Sequence, residues 1–256
     1  MNWRTFWALL ARDSRVVRRN LIPLILQTLL QPFLVVFIFG RVLTGNGMMA
    51  EGFKTVLLPG VMALTMVTSG IQAVAMPLMG EFQYTREIED RLLAPIDIKW
   101  LAIERVLGGM FLALVAGGAA VLGAILLMGR NLNLTFSHIP EFIVVLLLVA
   151  LLSAAGGLAI GCSVDVTQVG LMFSLVVGPM IMFGCTYYPW TSLAKFPVFQ
   201  KLVLINPLVY ASEGLRATLA PQIPHLPMVA VILVLLVMDA VLIATGLHRF
   251  YRKAIG

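Results

Sequence analysis

Residues 80–100 read GEFQYTREIEDRLLAPIDIKW, and they separate two continuously apolar runs, 55–79 and 101–128. With the five residues that follow, this stretch holds ten of the thirty Asp, Glu, Lys and Arg side chains in the chain. Each flanking run is long enough to cross ~30 Å of hydrocarbon, which takes about 20 helical residues. Charge at this density is too costly to lie in that hydrocarbon. The chain is therefore expected to cross a membrane before residue 80, turn in water, and cross back.

The rest of the sequence fits that reading. Of 256 residues, 60% are apolar and 12% charged, at a mean hydropathy of +0.98; soluble domains carry about 25% charged residues. Six apolar runs are predicted to span, at 21–43, 55–79, 101–128, 142–162, 168–186 and 226–247. They are continuous where barrel strands would alternate, so the expected fold is an all-α polytopic membrane protein. No long polar linker or repeat marks a second domain, and residues 1–256 read as one transmembrane domain. The net charge of +6 gathers near the ends of the runs, which suits anionic lipid headgroups. A nucleic-acid surface would add stacking aromatics to a basic face, and that class is set aside.

Lysine and arginine set the orientation. With the N-terminus inside, the inner segments hold twelve of them: Arg4, Arg12, Arg15, Arg18, Arg19, Arg86, Arg91, Lys99, Arg105, Arg249, Arg252 and Lys253. The outer segments hold six: Arg41, Lys54, Arg130, Lys195, Lys201 and Arg216. Both termini and the charged stretch are expected in the cytoplasm.

The first twenty residues resemble a secretory signal only superficially. Their apolar run is short, their charges follow it, and no small-residue cleavage site appears, so the segment is expected to be retained. Trp3, Phe6, Trp7 and Leu10 share one helical face, which describes an amphipathic helix over 1–20 in the inner interface. The alternative is a basic flank that only sets topology. Cys162 and Cys185 fall at opposite membrane faces, whereas a disulfide needs Cα atoms within ~7 Å, so free thiols are expected. His138, His225 and His248 lie at three different boundaries and offer no metal spacing. No G-x-x-x-x-G-K-[ST] loop occurs, so this chain is not expected to bind ATP by that route.

Within the opening stretch, Ile88 and Leu92 stand four apart with Leu93 beside them, Glu87, Asp90 and Arg91 take other faces, and Pro95 ends any helix. The pattern is a short amphipathic helix, either lying on the membrane surface or docking a cytosolic partner. The run REIEDRLLAPI, 86–96, resembles the segment after the second helix of type-2 ATP-binding-cassette (ABC) exporter permeases, where a Glu precedes Leu-Leu, a small residue and Pro. Residues 186–216, TYYPWTSLAKFPVFQKLVLINPLVYASEGLR, resemble the outer segment before the last helix of that family, with Asn206, Pro207, Tyr210 and Arg216 in order. The resemblance is closest to the drug and nodulation-factor branch.

The resemblance implies a transmembrane subunit in a bacterial plasma membrane, paired with a second copy or a related permease. Each subunit would sit on a cytosolic ABC ATPase that binds the ATP and magnesium, leaving this chain without a cofactor. The docking element, within 80–100, would comprise Phe82, Arg86, Glu87, Ile88, Glu89, Asp90, Arg91, Leu92 and Leu93. The outer segment, 186–222, would close the outer end of the pathway, with Tyr187, Tyr188, Asn206, Pro207, Tyr210, Glu213 and Arg216 at its gate. Its residues give a physical reason too: Leu202, Val203, Leu204, Ile205, Leu208 and Leu215 need cover, which two short helices re-entering the outer leaflet would supply. Tyr187, Tyr188 and Trp190 alternatively form an interfacial aromatic belt. Glu213 and Arg216, three apart, can meet on one helical face.

Polar groups inside the spans are few. Asp239 lies near the middle of the sixth run and is either functional or a buried structural acid. Gln27 and Gln31 share a face of the first run, and Thr65, Thr68, Ser69 and Gln72 a face of the second; they line a pathway or tie helices together. Glycines 108, 109, 117, 118, 156, 157 and 161 read as close-packing positions. A self-sufficient carrier or channel would show repeat symmetry or clustered ionisable groups, and an intramembrane enzyme a catalytic constellation at one depth. An exporter of an amphipathic substrate (drug, lipid, or lipid-linked or acylated oligosaccharide) is the expected function.

Overall fold

The structure is a computed structural model describing residues 30, 33–48, 52–85, 98–128, 134–135 and 138–255. The interfacial helix expected over 1–20, Gln27, Gln31, and Arg86 through Leu93 of the docking element lie outside these residues.

Every regular element among the described residues is helical. They are α1 (Phe33–Leu43), α2 (Phe53–Gly80), α3 (Ile98–Met128), α4 (Ile139–Gly161), α5 (Val169–Met182), α6 (Pro197–Leu202), α7 (Pro207–Leu219) and α8 (Met228–Ile255). Local chemistry places the starts of several. Pro140 and Glu141 open α4, where a missing N–H costs nothing and a carboxylate faces the positive end of the helix dipole.

Four helices are long and apolar enough to cross a membrane: α2 with its extension to Gln83, α3, α4 and α8. The described part of the first run and α5 are shorter apolar helices. The fifth run was expected to continue to 186, but α5 ends at Met182. Its ladder passes through a π-turn at Phe173–Val177, and the chain then turns at Cys185, whose φ of +52° is left-handed.

Helix α2 is the axis of the bundle. Its apolar window is 72% buried, against 28% in α3 and 17% in α8, and it packs against α3, α4 and α7. Lipid tails are as apolar as leucine, so close packing of small residues has to hold these helices together. At the α2–α4 contact, a Cβ on Gly157 would stand 2.8 Å from the Ile71 carbonyl oxygen, and one on Gly70 would strike Ser153. Gly109, Gly117 and Gly161 also press on α2. Gly108 and Gly118 do not: nothing lies within 4 Å of either, because α3 gives only one face to the bundle and these sit on the other. Gly156 makes only ordinary contact, at 3.8 Å from Ile71.

The charges sort to the two ends of the bundle. At one end Arg41 Nη1 donates to the Leu127 carbonyl at 3.0 Å, and Phe39 lies between Phe53 and Tyr187. At the other, Arg105 pairs with Glu81, and Gln83 Nε2 donates to Asp165 Oδ1 at 2.8 Å. Arg41 and Arg105 thus stand at opposite ends, as do the two cysteines, which are both free.

Candidate functional site

The connection between α5 and α8 builds the first candidate site. A residue before proline avoids helical geometry, and Asn206 is extended at φ −80°, ψ 119°, so the chain breaks between α6 with its 3-10 extension and α7. Asn206 then caps α7, its Oδ1 accepting from the Leu208 N–H at 3.0 Å, and its Nδ2 donates to the Met180 carbonyl at 2.7 Å. Helix α7 is buried from Leu208 to Leu219, inserted among α2, α4 and α8. This is more enclosure than a helix at a leaflet edge would have.

Glu213 and Arg216 lie on α7 with neither side chain exposed, and they form an ion pair. Arg216 Nη2 also donates to the Cys185 carbonyl at 2.9 Å and reaches the Val56 carbonyl of α2 at 3.5 Å. Glu213 Oε1 accepts from the Trp190 N–H at 2.9 Å, and Oε2 from the Leu226 N–H at 3.1 Å. A buried ion pair holds only when its remaining donors and acceptors are met, and here backbone groups of four residues from three segments meet most of them.

The turn at 184–186 is held on three sides. Ser212 Oγ donates to the Gly184 carbonyl at 2.7 Å, Arg216 takes the Cys185 carbonyl, and the Thr186 backbone lies on Gly60 of α2, where a Cβ would collide with it. Of the aromatic residues, Tyr187 stacks on Phe39 with centroids 6.0 Å apart, Tyr188 donates to the Met182 carbonyl at 3.2 Å, and Tyr210 is buried. Trp190 Nε1 donates to the Gln200 carbonyl at 3.0 Å. These rings bind the connection to itself and to α1. Of the apolar residues expected to need cover, Val203, Leu208 and Leu215 have it, while Leu202 and Ile205 remain exposed beside Phe196 and Val198.

The second site is the base of the charged stretch. Arg105 stands between Glu81 and Glu104, all three largely buried, and joins the end of α2 to the start of α3. Phe82, expected on the docking surface, is partly buried; it meets Phe250 of α8 edge-on at 5.8 Å, with Lys253 Nζ 5.2 Å from its ring centre. Cys162 lies at this end and is buried.

Between the ends, the hydroxyls of α2 serve their own helix. Thr65 donates to the Val61 carbonyl at 2.8 Å, Thr68 to Leu64 at 2.8 Å, and Ser69 to Thr65. These hydroxyl bonds all close on carbonyls of α2 itself. Asp239 is 2% exposed, and neither carboxylate oxygen has a hydrogen-bond partner among the described residues. No group of three or more His, Cys, Asp or Glu comes together among the described residues.

Sequence reasoning missed the backbone half of the Arg216 network: Val56, Cys185, Trp190 and Leu226. Main-chain donors and acceptors carry no residue signature, and Gly60, the one small residue at the contact, does not stand out among 22 glycines.

No curated protein and no solved structure matches the chain. The family described as ABC-2 type transporter matches residues 4–220, a stretch that includes the charged segment between α2 and α3, the Asn206–Pro207 break and the Glu213–Arg216 pair. These elements occur in a multi-pass bundle of apolar helices, and the chain belongs to the ABC-2 type transporter family of membrane permeases, which work with ATPase subunits.

Proposed function

We propose that this chain is the transmembrane subunit of an ABC exporter that moves an amphipathic substrate out of the cytoplasm or inner leaflet. Two copies, or this chain and a related permease, pair in a bacterial inner membrane, with six spans per subunit and both termini in the cytoplasm. A separate ATPase docks on residues 82–93 and supplies the ATP and magnesium chemistry. The 186–222 segment re-enters the outer leaflet and closes the outer end of the pathway.

The observation that carries this reading is the Glu81–Arg105 pair. It joins α2 to α3 at the two ends of the charged segment, so a push on that segment reaches two spanning helices together. Phe82 and Lys253 add α8 to the same base. Phe82 then anchors the docking element from beneath, and the contact falls to Ile88 and Leu92 with charges around them for register. Coexpression with the cognate ATPase, copurification and an ATPase assay test the reading. Transport in liposomes without nucleotide or partner would overturn it.

A second reading, a self-sufficient carrier, draws on the buried Asp239, whose carboxylate has no hydrogen-bond partner among the described residues. One such acid is a thin basis for a coupled pathway, and the exporter is preferred.

A further inference from the structure

The Glu213–Arg216 pair sits where a latch of the outer gate would be, yet its surroundings are those of a permanent joint. Both side chains are fully buried, and their partners are main-chain groups of four residues in three segments: Val56 on α2, Cys185 and Trp190 before α6, and Leu226 before α8. Opening such a joint in each cycle would strand two desolvated charges together with those backbone groups. The grip is also redundant: Ser212 holds Gly184, and Thr186 rests on Gly60 with no room for even a Cβ between them. Asn206 extends the hold to Met180, past the π-turn of α5 at Phe173–Val177.

We propose that Arg216 is a positioning residue that staples α7 and the 184–190 turn to the outer end of α2, making them one rigid unit that stays joined throughout transport. The outer segment moves only as α2 moves. Helix α2 runs from Val56, beside this joint, through Pro59 and Pro77 to Gly80, next to Glu81 at the base of the docking element, so displacement at the inner end is delivered to the outer segment along one helix. The source of that displacement rests on the docking reading above; the rigidity of the unit does not.

Nitroxide labels at Gly52→Cys and Gln222→Cys test the staple, since both positions are exposed and the native thiols, both buried, are left in place. The distance distribution is measured by pulsed electron resonance, first on reconstituted permease alone and then on its ATPase complex with and without ATP. A narrow distribution, unchanged by nucleotide, is expected, and Arg216→Lys should broaden it, because Nη1 serves Glu213 while Nη2 serves the two carbonyls, and a single nitrogen on a shorter stem does not reproduce that fork. A broad distribution in the native permease, a shift with ATP in the complex, or an Arg216→Lys distribution as narrow as the native one would overturn the proposal. Should Arg216→Lys fail to assemble, the native arms decide it. Loss of copurification with the ATPase would instead overturn the docking reading, and the permease-alone arm would still decide the staple.

Discussion

Arg216 and Glu213, one turn apart on α7, pair with each other where solvent reaches neither, and between them they collect backbone groups from α2, the 184–190 turn and the segment before α8. Removing one partner of a buried pair costs about 3–5 kcal/mol because the other charge is left desolvated. Arg216→Ala is expected to lower thermal stability by that order in a detergent unfolding assay. The double variant Glu213→Gln, Arg216→Met leaves no stranded charge and should lose less than the single one. In complexes that still assemble, Arg216→Ala should reduce export while ATP hydrolysis continues; normal export would show that transport does not need the Arg216 staple.

Gly60 faces the Thr186 backbone with no space for a side chain. Gly60→Ala should therefore destabilise by about 1–3 kcal/mol, the usual cost of overpacking. Gly118→Ala, at a position with nothing within 4 Å, should be silent in the same assay. Equal behaviour of the two would mean that the turn does not rest on α2.

Ile88→Asp with Leu92→Asp should abolish copurification with the ATPase while leaving membrane insertion intact. A charge without a partner in a desolvated interface costs several kcal/mol. Copurification at the native level would remove residues 82–93 from the docking role.

Orientation is tested with single cysteines at Ala50, Glu89 and Lys195 and a membrane-impermeant thiol reagent. Cysteines at 50 and 195 should react from outside, and the one at 89 only after permeabilisation. The native thiols give little background, since both are buried. The reverse pattern would invert the topology drawn from lysine and arginine.

Asp239→Leu should leave the fold intact and raise its stability, because neither carboxylate oxygen has a partner among the described residues and the apolar side chain fits a buried position. Export then separates the two roles: retained transport makes Asp239 structural, and lost transport in a stable complex places it on the pathway.

The sequence alone was enough for the membrane class, the positions of the long helices, the placing of charge at the helix ends, the break at Asn206–Pro207 and the three-residue spacing of Glu213 and Arg216. Each follows from a local rule: hydrocarbon excludes charge, proline excludes the preceding residue from a helix, and side chains one turn apart share a face. Only the tertiary structure decided that α2 is the axis, that Gly157 packs while Gly118 does not, that Thr65 and Ser69 bond within their own helix, and that Arg216 reaches Cys185 and Val56. The reason lies in the solvent. In water a helix betrays its buried face by its apolar stripe, but lipid and protein interior are equally apolar, so α4 and α8, of equal hydropathy, read alike until their neighbours are in place.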